Sequence, residues 1–278
     1  MIYKRHKYLL NVLFELAKPI SFEDYQAMVS IISGESLIDE INYTFISYKD
    51  KLISLHLKND LDMLARENLI SYSDDNVIST GDKDTVIKTI RDLDFDKHMI
   101  IKNYISTFTN ESTEELVESA FKSKATHVVK DKTANVALYT AGYEGDSIDS
   151  FLIRIAKSGI KRIVDVRRNP ISRKFGFSKK SLALCALALQ IEYTHIPELG
   201  IPSESRKSLK TKDDYMKLFD IYEKDILDDT QIEQDILINT ITDIPSVLIC
   251  FEADPVFCHR SRLAKRLAKN SDLIIKNI

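Results

Sequence analysis

The sequence predicts an α/β protein with two parts: a mainly helical, winged-helix-like domain over residues 1–130 and an α/β domain over residues 131–278. Three observations support this prediction. The first half places apolar residues at helical spacing, the stretch "KDKTAN" then turns polar, and the second half alternates short apolar runs with helical stretches. Such alternation is typical of a mostly parallel sheet with helices on both faces.

The first domain is predicted from helical spacing and one hairpin pattern. Residues 6–17 form an apolar repeat that Pro19 stops, and Ser21 caps a second helix. Residues 55–70 repeat the helical spacing, and an alternating pattern around residues 74–76 resembles a small hairpin. Helices followed by such a hairpin indicate a winged-helix-like domain. Further helices are expected at residues 84–93, at residues 97–108 and from Ser112, which stands in capping-box spacing with Glu115.

The second domain is predicted from its alternating elements. The expected strands are the apolar runs "VALYTAG", "RIVDV", "EYTHI" and "SVLICF", with "LIIKNI" as a further candidate at the end. Between and after them we expect helices at residues 147–157, 179–189, 213–227 and 259–268. Ligands of parallel α/β sheets bind beyond the carboxyl ends of the strands, so the polar residues at those ends matter most.

Composition restricts the class of protein. The chain has 278 residues, a net charge of −3 and only 3 cysteines, which suggests no disulfide framework and favours a reducing compartment. Its start, "MIYKRHKYLL", lacks the apolar segment of a signal peptide, and no apolar run is long enough to span a bilayer. We therefore expect a cytoplasmic protein that does not contact a membrane.

Charge is distributed unevenly along the chain. Residues 151–180 carry ten Lys or Arg residues and one acidic residue, Asp165. This local excess would attract a phosphate backbone, although many of these cations are also compatible with solvated helix faces. We therefore expect DNA or another nucleic acid as a partner, with a nucleotide-like anionic ligand as an alternative. The oligomeric state does not follow from the sequence.

Polar side chains follow four of the predicted strands. If the strands are parallel and adjacent, these side chains face one crevice. They are Tyr143 and Glu144 after the first strand, Asp165, Arg167 and Arg173 after the second, His195 and Glu198 after the third, and Glu252, Cys258, His259 and Arg260 after the fourth.

Several motifs, in one order, make residues from about 137 to 274 resemble the bacterial domain-of-unknown-function family numbered 488. They are Thr140 and Gly142; Val164, Asp165, Val166, Arg167, Pro170, Ser172 and Arg173; His195, Pro197, Leu199 and Gly200; and Cys250, Glu252, Cys258, His259 and Arg260. The resemblance implies an α/β domain. The opening turn departs from the commoner Gly-His-Ser form of the family, since Gly142, Tyr143 and Glu144 stand there. The first half more loosely resembles winged-helix modules fused to such domains, which implies DNA binding by analogy alone.

The candidate catalytic residues are Asp165, Glu252, His195, Glu144 and Cys258. Two carboxylates and a histidine can supply an acid, a base or a stabiliser of an oxocarbenium-like centre. Asp165 beside a cation is equally typical of a structural ion pair. Cys258 begins a helix whose terminus would lower the pKa of its thiol and favour a nucleophilic thiolate, but a small buried cysteine in a turn is common.

The candidate ligand-binding residues are Tyr143, Arg167, Arg173, Phe175, His259 and Arg260. Arginines interleaved with aromatic rings can grip phosphates while a ring stacks on a base. A helix that starts at His259 and Arg260 would also attract an anion. The alternative for Phe175 is that it covers the loop while a neighbouring phenylalanine lies in the core.

We expect no metal and no cofactor. A zinc site would require Cys250, Cys258 and His259, with or without His195, but seven residues separate the two cysteines, unlike the close pairs of zinc ribbons. Magnesium held by Asp165 and Glu252 is left open.

Two functions fit these features. The first is an enzyme acting on nucleic acid or a nucleotide, such as a hydrolase or a glycosylase that processes a modified base or its glycosyl bond by acid–base chemistry. The second is a non-catalytic DNA-binding regulator whose α/β domain senses an anionic small ligand.

Overall fold

The computed structural model describes residues 2–35, 38–72, 77–108, 111–206, 209 and 211–278. The chain folds into two compact units, Met1–Val129 and Lys130–Ile278. Within the described part of the chain, no helix is both long and apolar enough to cross a membrane.

The first unit is built mainly from helices. Ser54 accepts a hydrogen bond from the amide of Leu57 at the start of α3, and Ser112 forms the expected capping box with Glu115 at the start of α6. One buried cluster joins the apolar faces of these helices. They are α1 (Lys4–Leu16), α2 (Phe22–Glu35), α3 (Leu55–Arg66), α4 (Lys83–Ile90), α5 (Phe95–Phe108) and α6 (Thr113–Lys122).

Two small sheets complete the first unit. The strands are β1 (Ile20–Ser21), β2 (Phe45–Tyr48), β3 (Lys51–Ile53), β4 (Ile70–Tyr72), β5 (Val77–Thr80) and β6 (Thr126–Val128). One sheet has the order β1-β5-β4 and the other β3-β2-β6. Strands β4 and β5 pair in antiparallel fashion, while residues 74–76, where the hairpin turn is predicted, lie outside the described residues. The winged-helix interpretation stays a prediction.

The second unit is an α/β domain with an all-parallel sheet. Its strands are β7 (Leu138–Gly142), β8 (Arg162–Asp165), β9 (Glu192–His195), β10 (Ser246–Cys250) and β11 (Ile275–Asn277). Its α-helices are α7 (Ile148–Lys157), α8 (Lys179–Leu187), α9 (Lys212–Tyr222), α10 (Gln231–Asp243) and α11 (His259–Lys269). Short 3₁₀ turns cover Pro197–Leu199, Ser203–Arg206 and Pro255–Phe257.

The order of the strands positions the candidate site. The sheet runs β11-β7-β10-β8-β9, so β10 lies between β7 and β8. Helices α9, α10 and α11 share a buried core with one face of these strands, and right-handed crossovers place α7 and α8 on the other face. Because the chain leaves β10 toward one face and leaves β7 and β8 toward the other, a crevice opens at their carboxyl ends.

Two helical predictions for this unit need correction. Residues 213–227 do not form one regular helix, because α9 ends at Tyr222 and a single π turn follows over Glu223–Leu227. Helix α10 is absent from the prediction. Its sequence, "QIEQDILINTITD", has a weak amphipathic pattern, yet Leu237 and Ile241 are fully buried.

Candidate functional site

The strand-end cavity is an open cavity of about 310 Å³ at the carboxyl ends of β7, β8 and β10. We use this name for the space lined by Tyr143, Arg167, Arg168, Arg173, Ser203 and Phe251, among others. The structure therefore brings three of the predicted ligand-binding residues, Tyr143, Arg167 and Arg173, to one cavity.

Asp165 and Arg167 form a buried ion pair at the end of β8. The Asp165 carboxylate accepts hydrogen bonds from the Arg167 amide at 3.0 Å, from Arg167 Nε at 2.8 Å and from Arg167 Nη2 at 2.5 Å. The Tyr193 hydroxyl donates a further bond to Asp165 at 2.7 Å. Both oxygens of a fully buried carboxylate are thus occupied, which favours the structural reading of Asp165 over an acid–base or magnesium-binding role.

Arg167 is held from several directions while its side chain reaches the cavity. Its Nη1 donates to the Tyr143 hydroxyl at 2.6 Å and to the Phe177 carbonyl at 2.9 Å. Burial opposes the charge of the guanidinium, but the hydrogen bonds and charge of Asp165 outweigh it and raise the pKa of Arg167 above its ordinary value. The result is a permanently charged, rigid arginine in the cavity wall.

Tyr143 forms part of the cavity wall with its hydroxyl and part of the core with its ring. The ring stacks on Phe177 with a centroid distance of 4.2 Å and an interplanar angle of 12°. Burial raises the pKa of the phenol, although the neighbouring Arg167 acts in the opposite direction. Phe177 is the buried phenylalanine of the loop and Phe175 the exposed one, so the loop-covering alternative for Phe175 fits its position.

His195, at the end of β9, is fixed by two hydrogen bonds. Its Nε2 lies 2.9 Å from the carbonyl oxygen of Arg167, and its Nδ1 lies 3.0 Å from Lys179 Nζ. A carbonyl oxygen can only accept, so Nε2 carries the proton and Nδ1 accepts from the ammonium. His195 thus stabilises the backbone conformation at Arg167 through this hydrogen bond.

The two glutamate candidates lie in the loops that follow β7 and β10. Glu144 is exposed, and its Oε2 accepts from the amide of Ala253 at 3.1 Å. The Glu252 carboxylate lies 3.1 Å from the Cys250 thiol. Gly142 lets this loop approach, since a Cβ built there would lie 1.9 Å from the Glu252 carbonyl oxygen.

Arg260 has a structural position. Only 1 % of the residue is exposed, and its guanidinium donates to the carbonyl oxygens of Glu252 and Ala253. Its Nε lies 3.4 Å from the hydroxyl of Thr140. The side chain thus ties α11 to the loop after β10, and it is directed at the protein interior rather than at the strand-end cavity.

Cys250, Cys258 and His259 come together at the junction of β10 and α11. Their side-chain ligand atoms all lie within 4.8 Å of one another, and all three residues are buried. Burial raises the pKa of Cys258 well above its ordinary value, and the nearby Cys250 and Glu252 act in the same direction. The expected lowering by the helix terminus is therefore outweighed, and a reactive thiolate is not favoured. The zinc alternative that included His195 is not supported for that residue, which lies with Lys179.

A smaller cavity of about 110 Å³ lies beside this cluster. Glu252 and His259 line it together with the aromatic side chains of Tyr215, Phe219 and Phe257. The loop that follows β9 contributes Ile201 and Leu209. Residues 207, 208 and 210 of that loop lie outside the described residues.

Ion pairs neutralise part of the basic segment 151–180. Arg154 pairs with Asp146, Lys161 with Asp131, and Arg167 with Asp165. Arg162 contacts both Glu192 and Asp243. The local charge excess is therefore smaller in space than along the sequence, and the cations that face the strand-end cavity become the relevant ones.

Several neighbours of the site residues are absent from the sequence prediction: Tyr193, Lys179 and Ser203. Tyr193 lies two residues before His195 on β9, so both point to the same side of the sheet. The alternation of side chains along a strand could therefore have identified Tyr193 as a neighbour of the site from the sequence. Arg168 is exposed, donates to the Pro197 carbonyl at 3.3 Å and lines the cavity beside Arg167.

Comparison with known proteins finds a family model that matches part of the chain. The model of a family described as "Domain of unknown function DUF488" matches residues 147–267, within the second unit. The resemblance predicted for the C-terminal half is thus confirmed: residues 147–267 are similar to the DUF488 family. Thr140, Gly142 and Tyr143 precede the matched residues. No curated protein and no solved structure matches the chain.

Proposed function

We propose that the second unit of this protein binds the phosphate-bearing part of a nucleotide or of a nucleic acid in the strand-end cavity. The observation that carries the proposal is the convergence of Arg167, Arg168 and Arg173 on that cavity. Guanidinium groups match the geometry of phosphate oxygens and bind them with charge-assisted hydrogen bonds.

The three arginines differ in exposure, which suits a ligand site. Arg167 is 6 % exposed and fixed by Asp165, Tyr143 and Phe177, so it offers a preorganised guanidinium whose charge Asp165 partly balances. Arg168 and Arg173 are exposed and can close over a bound anion. A fixed, buried cation and two exposed cations combine a low cost of reorganisation on binding with access from solvent.

The rest of the cavity suits the other half of a nucleotide. Ile171 is 86 % exposed and Phe251 44 % exposed, and both line the cavity. An exposed ring provides a stacking surface for a base. The volume of about 310 Å³ lies at the lower end of the usual range for ligand cavities and suits one mononucleotide unit.

The test is a titration of the full-length protein with nucleoside mono- and triphosphates and with short DNA and RNA strands. We expect Arg173→Ala to raise the dissociation constant about tenfold, which corresponds to about 1.4 kcal/mol and to the loss of one charge-assisted contact. Arg91→Ala serves as the matched control, because Arg91 is an exposed arginine of the first unit. Equal affinities of Arg173→Ala, Arg91→Ala and wild type would refute the cavity as the binding site.

Acid–base turnover of the bound ligand is the second candidate function, and Glu252 is the residue that favours it. Its carboxylate lies outside the Asp165–Arg167 ion pair and lines the smaller cavity with His259, and it directly follows Phe251, which lines the strand-end cavity. We propose hydrolytic or glycosylase chemistry on a nucleotide or a modified base with Glu252 as the acid or base.

Turnover is tested by incubating wild type and Glu252→Gln with modified and unmodified DNA and with nucleotides, and by following released base, cleaved strand and released phosphate. Product formed by wild type and lost in Glu252→Gln supports the enzyme. Ligand binding with no product in any assay supports the regulator, in which the first unit binds DNA. Under either function we propose a cytoplasmic location, which is supported by three cysteines that form no disulfide.

A further inference from the structure

We propose that Cys250, Cys258 and His259 bind a zinc ion, a function separate from phosphate binding in the strand-end cavity. Two thiolates and an imidazole are ligands that zinc prefers. The cluster joins the end of β10 to the first turn of α11, two elements that the chain connects through residues 251–257.

The distances fit a single ion. All three ligand atoms lie within 4.8 Å of one another, and Cys250 Sγ lies 3.5 Å from His259 Nδ1. A sulfur and a nitrogen bound to one tetrahedral zinc lie about 3.6 Å apart, as follows from the usual zinc bond lengths. The side chains thus need little rearrangement to receive the metal.

The histidine is oriented as a ligand. His259 Nε2 lies 3.1 Å from the Val166 carbonyl oxygen, which can only accept a hydrogen bond. The proton of the neutral ring is therefore on Nε2, and Nδ1 presents its lone pair to the cysteines. A backbone carbonyl that fixes the tautomer in this way is a common second partner of zinc-bound histidine. The ring of Tyr222 packs edge-on against the imidazole at 5.5 Å and limits its rotation.

The charge balance also favours a divalent cation. Two thiolates and a neutral imidazole around Zn²⁺ carry no net charge, which suits three residues that are each about 1 % exposed. The long spacing between the cysteines is bridged by the fold, because Arg260 binds the carbonyl oxygens of Glu252 and Ala253 and holds the intervening loop.

The cluster borders the smaller cavity through His259. Glu252 lies 3.1 Å from Cys250 and lines the smaller cavity with His259. Catalytic zinc sites characteristically have three protein ligands and one water. The zinc would also strengthen a wall of the strand-end cavity, which Cys250 lines on its other side.

The experiment measures metal in full-length protein that is produced with added zinc and purified under reducing conditions. We expect about one zinc per chain, and a cobalt-loaded sample should show sulfur-to-cobalt charge-transfer absorption. Cys250→Ser, Cys258→Ser and His259→Ala should each weaken zinc binding by more than about 100-fold. Cys185→Ser is the matched control, because Cys185 is a buried free cysteine on α8, outside the cluster.

Measurements on wild type keep the test independent of how the variants fold. Because Cys250 and Cys258 are buried, a thiol reagent reaches them only when the fold opens; zinc should slow their modification, and a chelator should restore the faster rate. A wild-type protein that takes up less than about a tenth of an equivalent of zinc or cobalt would overturn the proposal, as would a Cys250–Cys258 disulfide in the native protein. Neither result bears on the phosphate-binding proposal, which is tested separately at Arg173.

Discussion

Replacing Asp165 with asparagine tests whether this carboxylate holds Arg167 in place or performs chemistry. The substitution keeps the shape of the side chain but removes its charge and turns one oxygen into an amide donor. That donor would face the N–H groups of Arg167 that now bind Asp165 at 2.8 and 2.5 Å. We expect a large loss of stability in the second unit.

The size of the loss follows from the burial of the pair. Asp165 is fully buried and Arg167 is 6 % exposed, so the substitution leaves a buried cation without its counter-charge. Breaking a buried ion pair of this kind costs about 3–5 kcal/mol. Tyr193→Phe removes one hydrogen bond to the same carboxylate and should cost only about 1 kcal/mol.

Hydrogen exchange of the β8 amides, followed by mass spectrometry, measures the free energy of opening in the second unit alone. The ion-pair account predicts that exchange in β8 accelerates far more in Asp165→Asn than in Tyr193→Phe. A β8 strand as protected in Asp165→Asn as in wild type would refute it. If such a stable variant also lost turnover of a substrate, Asp165 would act in catalysis.

Three further predictions concern other parts of the molecule. Tyr143→Phe removes the hydroxyl that Arg167 contacts at 2.6 Å, and calorimetry should show nucleotide affinity reduced by up to about tenfold and the free energy of unfolding lowered by only about 1 kcal/mol. Burial opposes ionisation of Glu40, but hydrogen bonds from two lysines lower its pKa to about 2. Its carboxylate therefore stabilises the first unit above pH 4.5 and loses this effect as the pH falls through 2. The free energy of unfolding in urea should show this pH dependence in wild type and lack it in Glu40→Gln. Gly142→Ala places a Cβ 1.9 Å from a backbone oxygen and should prevent folding of the second unit. At Gly145 a Cβ would meet no atom within 4 Å, but the φ of +85° is unfavourable for alanine, so Gly145→Ala should lower the free energy of unfolding by about 1 kcal/mol. Equal thermal unfolding of the two variants would contradict the steric argument.

The sheet of the second unit follows readily from its sequence because buried parallel strands are near-continuous apolar runs. The same regularity identifies the strand ends, and Tyr143, Arg167 and Arg173 do meet there. The local sequence pattern does not reveal which polar side chains form hydrogen bonds with one another. Asp165 and His195 have the residue types of acid–base groups, yet neighbours from other elements, Tyr193 and Lys179, occupy their polar atoms.

The cysteine cluster is a feature that spacing along the sequence fails to predict. Spacing along the chain argues against a zinc site, because seven residues separate Cys250 from Cys258. Spacing is informative only when a short turn must bring two ligands together. Here a strand end and a helix start converge by tertiary packing, and the bonds of Arg260 to the loop keep them close.

The central claim is that the strand-end cavity recognises phosphate. It is tested most directly by titrating wild-type protein calorimetrically with a nucleoside monophosphate and with the matching nucleoside under identical salt. The account predicts that the monophosphate binds at least about tenfold more tightly, because only it can engage Arg167, Arg168 and Arg173. Equal affinities for the two compounds, or no binding of either, would contradict it.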